Sequence, residues 1–315
     1  EDHEVFLTAS IGISFFPDDG EDAYLLLKNA AAALSRARER GGNLYRFYTA
    51  DMNDRALRRL ELENNLRRGL EREEFELYYQ PKLDTTDGQI IGMEALVRWR
   101  HPELGLILPS EFIPLAEETG LIVPLGEWVL RAACAQARDW RDRLGLRVPV
   151  SVNLSVLQFT RALTSQVQGA LEESGLESEL LELEITESLL MKNVEDNVAM
   201  LRTLSGSGVR IAIDDFGTGY SSLGYLRRLQ IDTLKVDQTF VRDIEGSPDD
   251  VAIVQAIIAL ARSLKLTVIA EGVERDGQLA VLRDLGCDEW QGHRAGKPLA
   301  AREFEARFLG TVEAG

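Results

Sequence analysis

The sequence predicts an α/β protein: a modified TIM (β/α)8 barrel with one antiparallel strand, plus a small N-terminal α+β fragment. Three observations predict it. Eight strand-like segments alternate with helical ones between Phe75 and Gly292, the pattern that closes a mostly parallel sheet into a barrel. The first two strands are joined by LDTTDGQ alone, seven residues that are too few for a crossover helix, so this pair should be an antiparallel hairpin. No glycine fingerprint follows a first strand, as a doubly wound open sheet would require.

Residues 1–50 come first. TASIGISFF alternates as a strand, with Ala9, Ile11, Ile13 and Phe15 on one side. PDDG is a turn, DAYLLLKNAAAALSRARER a helix stopped by GGN, and LYRFY a second short strand. Two strands and one helix are thin for an independent domain, so the segment is expected to be the end of a domain that begins upstream. Residues 51–70 read as an amphipathic connecting helix, with Leu57, Leu60, Leu62, Leu66 and Leu70 among arginines and glutamates.

Residues 71–315 make the barrel. Its strands are expected at 75–81, 90–99, 148–155, 180–186, 209–216, 232–237, 266–272 and 287–292. The helices between them are GEWVLRAACAQARDWRDRLG, SVLQFTRALTSQVQGALEESG, VEDNVAMLRTLSGSG, DDVAIVQAIIALARSL and RDGQLAVLRDLG, several ending in the glycine that favours a helix C-terminus.

Composition excludes several functions. The 315 residues hold 35 Lys plus Arg and 52 Asp plus Glu, a net charge of −17. Such a surface repels phosphate backbone, so polymeric nucleic acid is not an expected partner. No stretch approaches a membrane span, and EDHEVFLTAS lacks the basic start of a signal peptide. Cys134 and Cys287 make neither a disulfide framework nor a zinc knuckle and should lie in the core. The expected location is cytoplasmic, alone or as the cytosolic part of a larger, membrane-attached protein.

The acids at strand ends are different from the rest. Gln80, Asn153, Glu184, Asp214 with Asp215, Lys235, Glu271 and Gln291 lie near the end of a strand or just after it, and Glu94 lies within the second, where the apolar strand bodies do not explain them. C-terminal strand ends converge on one barrel mouth, where active sites are built. Five carboxylates crowded there would be pushed toward protonation by burial and mutual repulsion. Divalent cations remove that conflict, and carboxylates with an amide oxygen suit Mg²⁺ or Mn²⁺. One carboxylate of Asp214-Asp215 could bridge two ions while its neighbour holds the second, the arrangement used for in-line attack at a phosphodiester. Lys235 could orient the attacking water or neutralise charge at the phosphate. Singly, each residue has a plainer explanation as an ion-pair partner or helix cap; their succession on consecutive strand ends is the signal.

At these residues the sequence resembles the EAL-domain family of cyclic di-GMP phosphodiesterases. Glu94-Ala95-Leu96 is the name-giving tripeptide, and the likeness runs through YYQPK, EFIPLAEETGLI, VNLS, LELEITES, IAIDDFGTGYSSLGYL, LKVD, VIAEGVE and QG followed by KPL. The resemblance implies cyclic di-GMP as substrate, opened to linear pGpG, with two Mg²⁺ or Mn²⁺ per active site. It implies that Glu94, Asn153, Glu184 and Asp214 hold one metal, and that Asp214 and Asp215 with Glu271 serve the second. Lys235 would contact the attacking water, Glu271 is otherwise the candidate base, and Gln291 would order the site. Gln80 and Arg98 would bind substrate, Arg98 at a phosphate, with Leu96 on the ligand wall. Glu187 would brace the loop DDFGTGYSS, which in this family links metal site and dimer interface, so a homodimer through the barrel is expected.

One segment departs from the family pattern. Where an aromatic residue usually follows Gln-Gly, this chain has His293-Arg294-Ala295-Gly296 before Lys297-Pro298. The first 50 residues resemble the C-terminal end of a GGDEF domain, without its signature loop. Two other functions stay open at this point: a cyclic di-GMP receptor that binds without cleaving, and a barrel that regulates a cyclase domain.

Overall fold

A computed structural model describes residues 8–39, 41–190, 194–218, 226 and 229–310. The chain divides into two compact units, Glu1–Arg68 and Gly69–Gly315. In the first, β1 (Ile11–Ile13), α1 (Ala23–Glu39) and β2 (Tyr45–Phe47) form a small βαβ unit with parallel strands. Gly12 lets the helix lie close to the sheet, because a Cβ there would sit 2.0 Å from the Ala30 carbonyl oxygen. Ala33 and Ala37 are buried, whereas Ile11, Phe15, Tyr45 and Phe47 are exposed. The unit boundary falls within α2 (Asp51–Glu71). Leu62 and Leu66 are buried, and the side chains of Leu57 and Leu60 lie outside the described residues.

The second unit continues with β3 (Phe75–Asp84), β4 (Ile90–His101), β5 (Gly105–Ile107), α3 (Pro109–Thr119), α4 (Ile122–Leu144), β6 (Val150–Leu154), α5 (Ala162–Ser174) and β7 (Leu181–Thr186). Then come α6 (Glu187–Leu190), α7 (Val194–Gly206), β8 (Arg210–Phe216), β9 (Thr233–Val236), α8 (Gln238–Arg242), α9 (Pro248–Leu264), β10 (Thr267–Ala270), α10 (Asp276–Leu285), β11 (Glu289–Trp290) and β12 (Leu299–Ala300). The sheet runs β3-β11-β10-β9-β8-β7-β6-β4, and β4 pairs back onto β3, closing eight strands into a barrel. Only β3 is antiparallel to its barrel neighbours, β4 and β11. This is the modified TIM barrel that the short link predicted. No helix among the described residues is long and apolar enough to cross a membrane.

One expected helix needs correcting. SVLQFTRALTSQVQGALEESG is not continuous: Val156–Gln158 is a 3-10 turn, and α5 starts at Ala162. The Gln158 side chain causes the break. Its Oε1 accepts from the Ser155 backbone N–H at 3.1 Å, while the Ser155 hydroxyl accepts from Leu157 N–H, so the turn closes on itself in a capping box. Elsewhere the helices follow their periodicity. On α4, Leu125, Val129, Ala133, Ala137 and Trp140 are buried, and Trp140 meets the Tyr79 ring edge-on at 4.7 Å between centroids. Cys134 and Cys287 are free and buried, as expected.

Side chains alternate along a strand, so each barrel strand offers the interior every second residue. The layer at the mouth is Gln80, Glu94, Asn153, Glu184, Asp214, Lys235, Glu271 and Gln291. Two residues toward the barrel floor lie Lys82, Gly92, Ser151, Glu182, Ala212, Thr233, Ile269 and Glu289. The lower layer is not an apolar plug. Lys82, Ser151, Glu182 and Thr233 are all buried there and joined by hydrogen bonds.

Glu289 shares this layer at a cost. Burial, opposed by Lys82 and reinforced by Glu182, pushes its carboxyl up to about 7. A carboxyl raised on folding contributes its full stability below the unfolded value of 4.5 and loses it as pH rises through about 7. Glu289→Gln should therefore raise the melting temperature at pH 8, a gain of about 1–3 kcal/mol, and change little at pH 4. Thermal melts of both proteins across that range check this; an equal gain at both ends would contradict it.

Candidate active site

Register sets some mouth residues side by side: Gln80 on β3 lies opposite Glu94 on β4, and Asn153 on β6 beside Glu184 on β7. Elsewhere the strands are staggered, as where Lys235 on β9 pairs with Ile269 on β10. The side chains meet inside. Glu94 Oε1 accepts from the Asn153 amide at 2.5 Å, and Glu94 Oε2 from the Gln291 amide at 2.5 Å. That Gln291 amide also donates to Gln80 Oε1 at 3.0 Å, and the Gln80 amide donates to the Gly296 carbonyl at 2.9 Å. Gln291 Oε1 is buried with no hydrogen-bond partner among the described residues, leaving an acceptor free within the site.

Lys235 is the hub. Its Nζ lies 2.5 Å from Glu184 Oε2, 2.6 Å from Glu271 Oε1 and 3.1 Å from Asp214 Oδ1, and its side chain is 1% exposed. Burial opposes its charge, but Glu184 and Glu271 outweigh burial and hold it well above the usual lysine range. Glu184 responds in kind. Burial pushes it up, yet Lys235 on one side and Lys82 on the other bring it down to about 2. The other acids lack this double support. Burial pushes Glu271 up to about 8 despite Lys235, and burial with the Asp214 charge pushes Asp215 up to about 6. Burial, then Glu184, raises Glu94 as well.

Adjacent strand residues ordinarily face opposite ways, so Asp214 and Asp215 should not share a site. Two backbone features bring them together. The β8–β9 register shifts between Ile213 and Phe216, and Asp215 has φ 54°, the left-handed region that aspartate tolerates better than most residues. Bulges re-aim side chains in this way beside active sites. As a result, oxygens of Asp214, Asp215 and Glu271 lie within 4.8 Å of one another. Three carboxylate oxygens so close, two on groups that burial drives toward protonation, match the donor set of a hard divalent cation.

A cleft of about 210 Å³ opens over this layer. Gln80, Glu94, Leu96, Glu271 and Gln291 line it, joined by Gln238, Glu274 and His293. Arg98 is not among its walls: the guanidinium lies over the Tyr78 ring at 5.4 Å and donates to the Val97 carbonyl at 2.8 Å. Glu187 is buried, and its Oε2 accepts from the Gly217 N–H at 3.2 Å, which ties it to the start of the loop after Asp215. Residues 219–222 of that loop, on which the dimer expectation rests, lie outside the described residues. The segment that departs from the family pattern has its own partners: His293 Nδ1 is 3.5 Å from Glu274 Oε1, and Arg294 Nε is 2.7 Å from Asp276 Oδ1.

Sequence reasoning missed Lys82, Ser151, Glu182 and Thr233. The period of two, applied from each mouth residue toward the barrel floor (forward on the antiparallel β3, backward on the others), would have found them.

The chain is similar to known proteins. The EAL domain family model matches residues 63–298. MucR of Pseudomonas aeruginosa, a bifunctional diguanylate cyclase/cyclic di-GMP phosphodiesterase, is 48% identical over 305 residues, covering 96% of this chain and 44% of the relative. The cyclic di-GMP phosphodiesterase NbdA of the same organism is 46% identical over 300 residues, covering 95% of this chain and 38% of its own. The chain thus spans about two fifths of the length of these relatives. A solved PaMucR phosphodiesterase in complex with c-di-GMP superposes with a TM-score of 0.75 at 48% identity, over 78% of this chain and 99% of that one. The EAL enzyme Bd1971, in a cGMP-bound form, gives 0.75 at 32% identity over 91% and 76%.

Proposed function

The chain belongs to the EAL domain family, and on that premise we propose that it hydrolyses cyclic di-GMP to linear pGpG. The observation that carries the reading is the meeting of Asp214, Asp215 and Glu271 oxygens within 4.8 Å, beside Lys235 and beneath the cleft. Glu94, Asn153, Glu184 and Asp214 would hold one Mg²⁺ or Mn²⁺, and Asp214, Asp215 and Glu271 a second. When bound, the two cations would polarise the attacking water and the phosphate and steady the leaving oxygen.

The chain's own residues do the rest. Lys235 orients the water from below, its ammonium held by three carboxylates. Glu271, whose carboxyl stands at about 8, is the second candidate to handle the water's proton. The water oxygen bonds to phosphorus, the bond to a ribose 3′ oxygen breaks, and that oxygen takes up a proton, leaving a 5′-phosphorylated dinucleotide. Gln291 holds Glu94 toward Asn153. Gln80 and Leu96 face the ligand, and Arg98 would turn from Tyr78 to a substrate phosphate. Glu187 steadies the loop after Asp215, through which a homodimer would form. Residues 1–50 would be GGDEF-like, and the protein would work in the cytoplasm.

The test is turnover. Purified chain with Mn²⁺ or Mg²⁺ should convert cyclic di-GMP to pGpG, resolved by chromatography, and chelation should stop it. Tight binding without product in either metal would make the chain a receptor instead.

A further inference from the structure

We infer that Lys82 is a positioning residue that fixes the cation-binding face of Glu184 from the layer beneath the site. The inference rests on the hydrolase reading above and deepens it. Lys82 does not line the cleft, and its side chain is 4% exposed. Its ammonium donates to Ser151 Oγ at 2.6 Å, Glu182 Oε1 at 2.6 Å and Glu184 Oε1 at 2.7 Å. An ammonium has three donors, and here each has its own acceptor.

The two oxygens of Glu184 are thereby divided. Oε1 is held from below by Lys82, and Oε2 faces the mouth, where Lys235 meets it. Rotating the carboxylate would surrender a buried, charge-assisted hydrogen bond, the strong kind. Lys82 cannot drift with it, because Ser151 and Glu182 hold the ammonium on its other sides. Those holders are themselves held. The Ser151 hydroxyl donates to Glu182 Oε1 at 2.6 Å, and Thr233 Oγ1 donates to Glu182 Oε2 at 3.2 Å. The chain of contacts crosses from β3 to β9 and ends on one oxygen of one candidate ligand.

The backbone is shaped for this reach. Lys82 keeps the register that pairs Gln80 with Glu94, so its side chain leaves the strand on the same face as Gln80. Opposite Lys82 stands Gly92, where a Cβ would come within 3.3 Å of the Lys82 Cδ. The lysine stem lies over Gly92 on its way into the barrel. A glycine inside a strand weakens it, and here its use is to clear that path.

The experiment uses the full chain with two variants, Lys82→Met and the charge-compensated Lys82→Met/Glu182→Gln. Both should fold, as circular dichroism would show. Both should bind Mn²⁺ about 10–100-fold more weakly by calorimetry, the loss typical when the partner of a metal ligand is removed. The Mn²⁺ electron paramagnetic resonance line shape should change, and kcat should fall with KM for cyclic di-GMP unchanged. Wild-type Mn²⁺ affinity in the double variant would overturn the inference, since Lys82 would then serve only to neutralise Glu182. Failure of both variants to fold would overturn it too, by assigning the lysine to barrel stability. A wild-type chain that neither takes up Mn²⁺ nor turns over would overturn the hydrolase reading and this inference together; an active wild type with unaltered variants overturns the inference alone.

Discussion

Lys235→Met should remove turnover by about 10²–10⁴-fold even at saturating Mn²⁺. Lys235 is the cation on which Glu184, Glu271 and Asp214 converge. Taking one partner out of a buried ion pair costs about 3–5 kcal/mol, because the other charge is left uncompensated. Here three acids lose the same partner. Glu184 keeps Lys82, but Asp214 and Glu271 have no second ammonium at comparable distance among the described residues. Glu271, already pushed up to about 8 by burial, would hold its proton more tightly still, and a protonated carboxyl neither holds a cation nor steers a water. Mn²⁺ should restore part of the lost thermal stability by binding the folded form, yet not the rate, since the water would lose its guide. Melting curves and single-turnover rates with and without Mn²⁺ separate these effects. A variant within tenfold of wild-type turnover would show that Lys235 only balances charge.

The contrast between Lys235 and Lys82 shows where sequence reasoning stops. Lys235 was legible because it ends an apolar strand body at the level where other strands end in acids. Lys82 sits in YYQPK, two residues past Gln80 and so on the same strand face, but beyond Pro81, where the sequence places the end of the strand. Its inward path is cleared by Gly92 across the hairpin, a pairing that only the hairpin register reveals. Asp214-Asp215 gave half its meaning away. The sequence shows two adjacent acids, but only the left-handed backbone at Asp215 brings both to one side. Barrel closure was readable for a simpler reason: eight apolar runs, mostly separated by helical segments, with one short hairpin link, leave few ways to bury every strand. The break before α5 was not readable, because Gln158 stands in for a backbone group, and side-chain mimicry does not disturb hydrophobic periodicity.

Cation affinity should rise steeply with pH, by up to about a hundredfold between pH 6 and 8. Glu271 is pushed up to about 8 by burial, and Asp215 to about 6 by burial and Asp214. A divalent cation binds the ionised forms, so each carboxyl still protonated must release its proton on binding. At pH 6 Glu271 is almost wholly protonated and Asp215 about half; at pH 8 Asp215 is free and Glu271 half ionised. Stability without cation should move the opposite way. Both acids have folded values above their unfolded ones of 4.5 and 3.8, so their contribution is full below pH 4 and is lost as pH rises through 6 and 8. Glu184 acts in the other direction: brought down to about 2, it stabilises above 4.5 and that support is lost as pH falls toward 2. Cation added at pH 8 should therefore raise the melting temperature far more than the same cation at pH 6. Mn²⁺ calorimetry in buffers of different ionisation enthalpy counts the protons released. Release near one proton at pH 7 is the expected result, and none at any pH would mean that Glu271 is already ionised and not the group that cation binding must discharge.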